Sequence, residues 1–303
     1  MSLADLVRVG GDRVIEHANA GRLTTYRVGG SVRALVTLRT ASDADELIPL
    51  IVATNLGMLA IGNGSNLLIA DGEQALVAVR LEGDLSQFSW REVADGVDVV
   101  AGGGAALPVL ARRLAADGVC GFEWAVGVPG SVGGAVVMNA GGHGSDVASS
   151  VTEVQTWHRD AWRTWTRYEL DLSYRHSALG DGDLVLRATF RLSRGDASES
   201  QRRISEIVRW RRRHQPGGAN AGSVFRNPVD DHAGRLIEAA GCKGLRWRSA
   251  TVSDKHANFI IADAGGSAAD VYGLIELVRS RVAAQTGVTL EPENRFIGFA
   301  EMA

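Results

Sequence analysis

The stretch GVPGSVGGAVVMNAGGHG, residues 127–144, contains seven glycines among its 18 residues. A turn needs one or two glycines, but a run of this length with small residues between them lets the backbone lie flat along an extended ligand. A flavin dinucleotide is a ligand of that kind, because it presents a pyrophosphate and a broad ring. A glycine-rich packing loop is the alternative. We therefore expect this stretch to be largely loop, with its backbone packed against a ligand.

A second glycine loop, IGNGSNLL at residues 61–68, resembles the start of a Rossmann fingerprint. That fingerprint requires a third glycine at position 67 and a helix that begins there. Leu67 occupies the position, and the continuation LLIAD is typical of a strand. We therefore expect no Rossmann domain. Successive backbone N–H groups in the loop can still form an anion-binding concavity, and a plain hairpin turn is the alternative.

Length and composition narrow the class of protein. The 303 residues favour two or three domains, and the hydrophobic fraction of 45% suffices for a sizeable core. The net charge of −3 argues against non-specific nucleic-acid binding. Cys120 and Cys242 are the only cysteines, and the histidines show no HxxxH spacing, so we expect neither a disulfide framework nor a metal site. The first residues lack the apolar region of a signal peptide, and no long apolar run follows. We therefore expect a soluble, cytoplasmic protein.

The hydrophobic pattern predicts an α+β fold with mixed strands and no regular βαβ alternation. The polar run 194–200 lacks large apolar residues and is expected to be a domain linker. Helices are expected at residues 42–57 with Ser42 as N-cap, and at 108–117, 204–210 and 267–287. Strands are expected at residues 32–38, 58–61, 67–70, 76–81, 86–90, 97–101, 151–157, 184–192 and 288–299.

Three further segments supply complementary chemistry: YRHS at 174–177, GSVFRNP at 222–228 and LEPE at 290–293. Together they offer a fixed cation, a hydroxyl that can donate a proton, and a carboxylate. Taken alone, the arginine would more often be a structural ion-pair partner, the serine a turn or cap hydroxyl, and the glutamate a solvated charge. Only their joint occurrence favours a catalytic site.

With these motifs in this order, the chain resembles the UDP-N-acetylenolpyruvoylglucosamine reductases, flavoenzymes that make UDP-N-acetylmuramate for bacterial peptidoglycan. The resemblance runs from about Thr24 to Gly298 and is closest to the shorter branch of the family, which lacks an extra tyrosine-bearing loop. The motifs that carry it are TTYRVGG (24–30), IGNGSNLLIADG (61–72), GFEWAVGVPGSVGGAVVMNAGGHGSDV (121–147), YRHS (174–177), AGSVFRNP (221–228), SDKHANFI (253–260) and LEPENRFIG (290–298).

The resemblance implies an α+β fold in two parts. The first, residues 1–197, would be an FAD-binding region of the vanillyl-alcohol-oxidase (PCMH-like) type with subdomains at about 1–83 and 84–197. The second, residues 198–303, would be an α+β substrate-binding domain. The implied cofactors are non-covalent FAD and NADPH as hydride donor, and the implied partner is the sugar-nucleotide substrate. No nucleic-acid or membrane partner is expected, and the protein is expected to be a monomer.

The implied reaction is sequential: NADPH reduces FAD and leaves, and the enolpyruvyl sugar nucleotide is then reduced. Hydride transfer from flavin N5 to the methylene carbon gives an enolate-like carboxylate. Arg175 suits that charge, because a guanidinium stays charged and binds a carboxylate through two parallel donors. Ser223 corresponds to the family's proton donor, and Glu293 corresponds to its catalytic carboxylate. We expect Glu293 to be protonated or to act through a water, because an ionised carboxylate would repel the enolate.

The resemblance also implies two sets of binding residues. For the substrate diphosphate, Arg226 and Asn227 are candidates, with Lys255 as a third. The basic cluster at 209–214 is either a patch for phosphates or, more simply, a solvated helix face. The residues expected at FAD are Gly62, Asn63, Gly64, Ser65, Asn66, Gly127, Pro129, Gly130, Ser131, Gly133, Gly134, Asn139 and Gly141.

Three positions depart from the family pattern. His214 stands before Gln215–Pro216 where lysine is common, Asn294 follows Glu293 where an apolar residue is usual, and Tyr26 stands where phenylalanine or leucine is familiar. Two alternatives to the reductase stay open. One is another FAD-dependent oxidoreductase of the same fold, and the other is a non-catalytic sugar-nucleotide-binding protein.

Overall fold

The computed structural model describes residues 2–158 and 161–299. The outer ends of the predicted domains, Met1 and residues 300–303, lie outside the described residues. The α-helices of the described chain are α1 (Leu3–Gly10), α2 (Ala41–Ala53), α3 (Leu107–Ala116), α4 (Val132–Val137), α5 (Ala197–His214), α6 (Ala233–Ala239) and α7 (Ala268–Thr286). Short 3₁₀ turns occur at Gly11–Arg13, Gly21–Leu23, Gly83–Ser86, Glu123–Gly127 and Val147–Ser149.

The strands are numbered in chain order and vary from two to eleven residues. They are β1 (Val14–Glu16), β2 (Ser31–Leu38), β3 (Gly57–Ala60), β4 (Leu67–Ile69), β5 (Glu73–Leu81), β6 (Phe88–Val93), β7 (Gly96–Gly102), β8 (Val119–Cys120), β9 (Gly141–Gly142), β10 (Ser145–Asp146), β11 (Val151–His158), β12 (Ala161–Thr166), β13 (Leu184–Arg194), β14 (Arg246–Trp247), β15 (Ala250–Val252), β16 (Ile260–Ala262) and β17 (Arg295–Ile297).

The chain folds into two units, and each is assembled from three separate segments. Unit 1 comprises Met1–Glu16, Arg33–Asn63 and Ala75–Arg211. Unit 2 comprises His17–Val32, Gly64–Gln74 and Arg212–Ala303. The two units are defined by how their residues pack together, which does not identify the ligand that each binds. The predicted division into an FAD-binding region and a substrate-binding domain between residues 197 and 198 therefore stays a prediction.

The described part of unit 1 contains two larger sheets, the two-stranded sheet β9–β10 and two hydrophobic clusters. The first sheet has the strand order β1-β2-β5-β3, and the second has the order β12-β11-β13-β7-β6, with β8 paired to β13. One cluster joins α1 and α2 to the first sheet through fully buried residues such as Leu6, Leu47 and Val79. The other cluster joins α3 and the 3₁₀ turn before α4 to the second sheet. Both sheets mix with helices, as an α+β pattern requires.

Helix α2 shows how local chemistry sets an element's ends. The hydroxyl of Thr40 accepts from Asp43 N at 3.1 Å, and the Asp43 carboxylate accepts from Thr40 N at 3.0 Å, which is a capping box. The predicted N-cap at Ser42 is therefore wrong by two positions. The helix ends at Ala53, because Asn55 adopts a left-handed φ of 57° and Gly57 already starts β3.

Two expected loops contain helix. Within residues 127–144, α4 forms because Ser131 caps it, accepting from Gly134 N at 3.3 Å, while Val132 and Val136 are fully buried. The expectation that this stretch is largely loop is wrong for these six residues. Similarly, β13 extends to Arg194 and α5 begins at Ala197, so much of the expected linker at 194–200 is regular structure.

Unit 2 packs α6 and α7 with the sheet β14-β15-β16 and the parallel pair β4–β17. Helix α7 starts and stops as predicted. Ser267 Oγ accepts from Asp270 N at 3.1 Å, and Gly287 ends the helix with a left-handed φ of 73°. The predicted strand at 288–299 is shorter than expected, because only Arg295–Ile297 pairs with β4.

Candidate active site

The two glycine loops that the sequence singled out contact each other within unit 1. A Cβ at Gly62 would lie 2.2 Å from Ser131 Oγ, so only glycine fits there. Asn63 Nδ2 donates to the carbonyl of Pro129 at 3.2 Å. The loop around residue 62 and the stretch around residue 130 therefore form one surface, although 66 positions separate Asn63 from Pro129.

This surface fits an extended dinucleotide. At Gly62 and Gly141 a Cβ would clash with neighbouring atoms, whereas at Gly142 and Gly144 it would meet no atom within 4 Å. The backbone is thus closely packed at Gly62 and Gly141 and has open space beside it at Gly142 and Gly144. Such exposed backbone permits the close approach that a pyrophosphate or a ring needs.

The remainder of the second glycine loop belongs to unit 2. Gly64 has a φ of 60°, and a Cβ there would lie 2.3 Å from the carbonyl oxygen of Leu23. Thr25 N donates to the Gly64 carbonyl at 3.1 Å. Asn66 Nδ2 donates to the Glu293 carbonyl at 3.0 Å. Of the predicted cofactor residues in this loop, Asn66 thus holds the backbone beside a predicted catalytic residue.

Arg175 lies in a tight turn in unit 1, where Ser173 and His176 exchange backbone hydrogen bonds of 3.2 and 3.0 Å. Its φ of 57° is left-handed, which is uncommon for a residue with a side chain. Asn139 Nδ2 donates to the Ser173 carbonyl at 2.9 Å and so ties this turn to the glycine-rich stretch. Arg175 Nη2 donates to the Gly141 carbonyl at 3.5 Å. The predicted cation is therefore placed beside the predicted cofactor surface.

Asn139 was expected to contact FAD, but its side chain has other partners. Besides the bond to Ser173, its Nδ2 donates to Asp146 Oδ2 at 3.3 Å, and its Oδ1 accepts from Ala148 N at 3.0 Å. The residue is 2% exposed. Its amide therefore organises the end of the glycine-rich stretch, and only its backbone is left for a ligand.

Ser223 and Glu293 are brought together in unit 2. The segments that carry them pair antiparallel at Phe225 and Pro292. Glu293 N donates to the Val224 carbonyl at 2.7 Å. This pairing puts the predicted proton donor and the predicted carboxylate on adjacent segments that are 70 residues apart in the chain.

Asn258 clamps the other edge of the serine segment, and the sequence assigned it no role. Its Oδ1 accepts from Phe225 N at 3.0 Å, and its Nδ2 donates to the Phe225 carbonyl at 2.8 Å. Its own carbonyl accepts from Val224 N at 2.9 Å. Asn258 is 4% exposed, and its side chain and backbone together pair with the serine segment as a neighbouring strand would. The motif SDKHANFI contained the residue but gave no sign of this contact.

A cavity of about 320 Å³ opens beside these segments in unit 2. It gathers three predicted residues, Ser223, Asn227 and Lys255. Other lining residues that the sequence missed include His232, Arg235 and His256. Glu238 also lines the cavity, and the hydroxyl, the amide and the cations Arg235 and Lys255 outnumber this carboxylate, which suits a ligand that carries oxygen anions.

His256 is a neutral donor in this cavity at neutral pH. Burial, reinforced by the nearby charge of Lys243, lowers the pKa of His256. Its Nδ1 accepts from Asn258 N at 3.3 Å, so the proton of the neutral ring resides on Nε2. Nothing in the sequence separated His256 from the other six histidines.

The predicted substrate ligands differ in their surroundings. Asn227 is exposed, and its Oδ1 accepts from Ala233 N at 3.1 Å. Lys255 is exposed, and its Nζ donates to the carbonyl of Arg212. Among the described residues, the buried Nε of Arg226 has no hydrogen-bond partner. A ligand oxygen or a water would satisfy that donor.

Comparison with known proteins decides the family. The family model described as the C-terminal domain of UDP-N-acetylenolpyruvoylglucosamine reductase matches residues 214–297, and an FAD-binding-domain model matches residues 32–161. The curated reductase of that name from Rubrobacter xylanophilus is 39% identical over 279 residues, which cover 91% of this chain and 93% of the relative. The chain belongs to the UDP-N-acetylenolpyruvoylglucosamine reductase family.

Other relatives agree with this membership. The reductase from Synechococcus sp. WH7803 is 42% identical over 286 residues, covering 91% of this chain and 90% of the relative. The crystal structure of UDP-N-acetylenolpyruvylglucosamine reductase from Thermus caldophilus superimposes with a TM-score of 0.79 at 34% identity, covering 92% of this chain and 97% of that one. The predicted family and fold class are confirmed, and the protein is an FAD-dependent oxidoreductase.

Across residues 2–158 and 161–299, no helix is both long and apolar enough to cross a membrane. In the same residues, no cluster of three or more histidine, cysteine or acidic side chains has the arrangement of a metal site.

Proposed function

We propose that this protein reduces UDP-N-acetylenolpyruvoylglucosamine to UDP-N-acetylmuramate, with NADPH as the hydride donor, in peptidoglycan synthesis. The observation that carries the proposal is the pairing of the Ser223 and Glu293 segments through the 2.7 Å bond from Glu293 N to the Val224 carbonyl. This pairing carries a hydroxyl and a carboxyl on neighbouring segments of the chain. The curated relatives are named as reductases of this substrate.

The cofactor would be held by the glycine surface of unit 1, around Gly62, Ser131 and Gly141. When bound there, FAD would supply the redox chemistry that carries a hydride from NADPH to the substrate. The tight contacts behind these glycines keep the backbone fixed, so its N–H groups are oriented before the ligand arrives.

Arg175 would stabilise the negative charge that develops on the substrate carboxylate. The backbone turn that carries it is held by the Asn139 bond to Ser173, and its Nη2 donates to the Gly141 carbonyl at 3.5 Å. Removing an oriented donor of this kind from a dry site costs about 2.7–4 kcal/mol of transition-state stabilisation.

Ser223 would protonate the carbon next to the carboxylate, and Glu293 would assist as an acid or through a water. A serine hydroxyl is a weak acid, so its position must compensate for its pKa. The bonds from Asn258 on one side and from Glu293 N on the other hold the backbone of the serine segment. Proton transfer to the strongly basic enolate then needs little movement.

The cavity in unit 2 would take the nucleotide diphosphate. Asn227 and Lys255 line it together with the neutral donor His256, and the unpartnered Nε of Arg226 adds a further donor nearby in sequence. Most of these groups are polar without being buried, which suits a charged ligand that keeps part of its hydration.

Flavin absorbance through both half-reactions tests the proposal. NADPH should bleach the yellow protein, and UDP-N-acetylenolpyruvoylglucosamine should restore the colour without oxygen. Ser223→Ala should keep the first step and slow the second. Bleaching without recovery would overturn the substrate assignment, and equal loss of both steps in Ser223→Ala would overturn its role as proton donor.

We extend the proposal to the domain division, the oligomeric state, the cellular location and the attachment of FAD. We propose an FAD-binding region at 1–197 and a substrate-binding domain at 198–303, in a cytoplasmic monomer with non-covalent FAD. Light scattering should give the mass of one chain, and cell fractionation should recover the protein with cytoplasmic enzymes. Acid precipitation should release the flavin. A dimer mass, a membrane fraction or flavin retained by the pellet would contradict the corresponding point.

A further inference from the structure

Asn294 is a buried polar residue at a junction of three segments of unit 2. Its side chain is enclosed, with 4% of the residue exposed. Its Nδ2 lies 2.9 Å from Asn66 Oδ1, 3.2 Å from the Ala221 carbonyl oxygen and 3.4 Å from the Ser223 carbonyl oxygen. An amide has two N–H donors, so these three acceptors share them.

The acceptor side of Asn294 is occupied by Tyr26. The tyrosine hydroxyl donates to Asn294 Oδ1 at 3.3 Å, and Tyr26 is completely buried. Burial raises the pKa of Tyr26, so at neutral pH the hydroxyl is protonated and can donate. Two polar residues that depart from the family's apolar pattern are therefore partners of each other.

This pairing satisfies the tyrosine hydroxyl and the amide oxygen of Asn294 together. A buried hydroxyl or amide without a partner is costly, whereas a buried pair that satisfies itself is not. Tyr26 without Asn294 would lose the partner of its hydroxyl, and Asn294 without Tyr26 would lose the donor to its Oδ1. Their hydrogen bond spans 268 positions of sequence, so no local pattern reveals it.

The pair reaches both predicted catalytic residues of unit 2 through the backbone. One branch is direct, from Asn294 Nδ2 to the Ser223 carbonyl oxygen. The other branch runs through Asn66, which accepts from Asn294 and donates through its own Nδ2 to the Glu293 carbonyl at 3.0 Å. An apolar pair would fill the same space but would make neither branch.

We propose that Tyr26 and Asn294 form a positioning pair that fixes the Ser223 backbone relative to the Glu293 backbone. The inference rests on the proposed roles of Ser223 and Glu293 in the second half-reaction. Tyr26 orients the amide of Asn294, and the amide holds the serine carbonyl. Both side chains are buried, so both would act through the placement of other groups.

The test compares Tyr26→Phe, Asn294→Leu and the double variant in the FAD-loaded enzyme. Flavin reduction by NADPH should slow less than re-oxidation in all three, because neither Tyr26 nor Asn294 belongs to the proposed cofactor surface around Gly62, Ser131 and Gly141. Re-oxidation by UDP-N-acetylenolpyruvoylglucosamine should slow about ten- to hundredfold in Asn294→Leu, because misplacing a reacting group by about 1 Å has that effect. In Tyr26→Phe the slowing should be about two- to tenfold.

The double variant separates positioning from packing. It replaces the polar pair by an apolar pair, so its thermal unfolding midpoint should recover toward that of wild type. Its re-oxidation rate should remain slow, because both branches are still missing. A wild-type rate of re-oxidation in the double variant would overturn the proposal. Val278→Ala is the control, because it destabilises the α7 core of the same unit. If re-oxidation slowed equally in this control, the proposal would also be overturned.

Hydrogen exchange supplies a readout that does not depend on turnover. The peptide 221–228 should exchange faster in Asn294→Leu than in wild type and in Val278→Ala. Unchanged exchange would contradict the proposal that Asn294 holds the serine segment. If wild-type enzyme itself fails to be re-oxidised by the sugar nucleotide, the proposed function fails while this comparison still decides whether the pair holds the serine segment. Should Asn294→Leu not fold, Tyr26→Phe carries the same comparison.

Discussion

Replacing Gly62 by alanine would put a methyl group where the side chain of Ser131 already lies. The new Cβ would be 2.2 Å from Ser131 Oγ and 3.0 Å from Ser131 Cβ. Ser131 is 3% exposed, so its hydroxyl cannot turn into solvent. The same hydroxyl caps α4 through Gly134 N. The methyl group must therefore displace either the cap or the loop that carries residue 62.

The cost follows from these contacts. Loss of the cap is worth about 1 kcal/mol, and overpacking of a filled site adds about 1–3 kcal/mol. We expect Gly62→Ala to lower the free energy of unfolding by about 2–4 kcal/mol, and Ser131→Ala by about 1 kcal/mol. In the double variant the clashing Oγ is gone, so its stability should lie near that of Ser131→Ala.

Urea denaturation of the FAD-free protein, followed by tryptophan fluorescence, measures these differences. Flavin fluorescence measures the dissociation constant of FAD, which we expect Gly62→Ala to raise about tenfold, the equivalent of about 1.4 kcal/mol. Gly180→Ala is the control in the same unit, because a Cβ at Gly180 would meet no atom within 4 Å. Additive effects in the double variant, or a Gly62→Ala protein as stable as the control, would refute the close packing of the two loops.

Three further predictions concern Asn258, the two histidines His143 and His256, and Arg175. Asn258→Leu should lower the free energy of unfolding by about 2–4 kcal/mol, because it leaves the buried N–H and C=O of Phe225 unpaired, and a loss below 1 kcal/mol would contradict the clamp. Burial lowers the pKa of both His143 and His256, so the unfolded chain binds protons more readily. Stability should therefore fall as the pH drops below about 6.5, and replacing each by glutamine should reduce that slope in urea titrations; an unchanged slope would contradict it. Arg175→Lys should keep flavin reduction and slow re-oxidation by the sugar nucleotide about tenfold or more, since lysine keeps the charge but loses the paired donors, and equal rates would argue against carboxylate binding.

The sequence predicted those parts of the fold that local signals determine. The cap at Ser267, the stop at Gly287 and most strands depend on neighbours within a few positions, and they occur as expected. The start of α2 was misplaced because Thr40 and Ser42 are both acceptable caps, and only Asp43 reaching back to Thr40 N decides between them. Helix α4 was missed because glycine usually disfavours helices, while burial of its valines overrides that propensity.

The candidate site likewise contains residues that the sequence predicted and contacts that it did not. Motif order was enough to nominate Arg175, Ser223 and Glu293, but contacts between distant segments could not be foreseen. The amide of Asn258 resembles a turn residue in the sequence, and only the folded chain shows it replacing a strand. Likewise, no feature of the sequence connects Tyr26 with Asn294, because hydrogen bonding between distant residues leaves no periodic pattern.

The three-segment construction of unit 2 has a consequence for the order in which the protein folds. Strand β4 has its only strand partner of the described chain in β17, and the nearby residues Asn66 and Asn294 are 228 positions apart. During synthesis, β4 must therefore wait for most of the chain to leave the ribosome before it can pair. Closing so long a loop is slow compared with forming local helices and hairpins. The segments that carry Ser223 and Glu293 would thus be completed late, so partly made chains should expose an unfinished apolar surface and depend on chaperones during that interval.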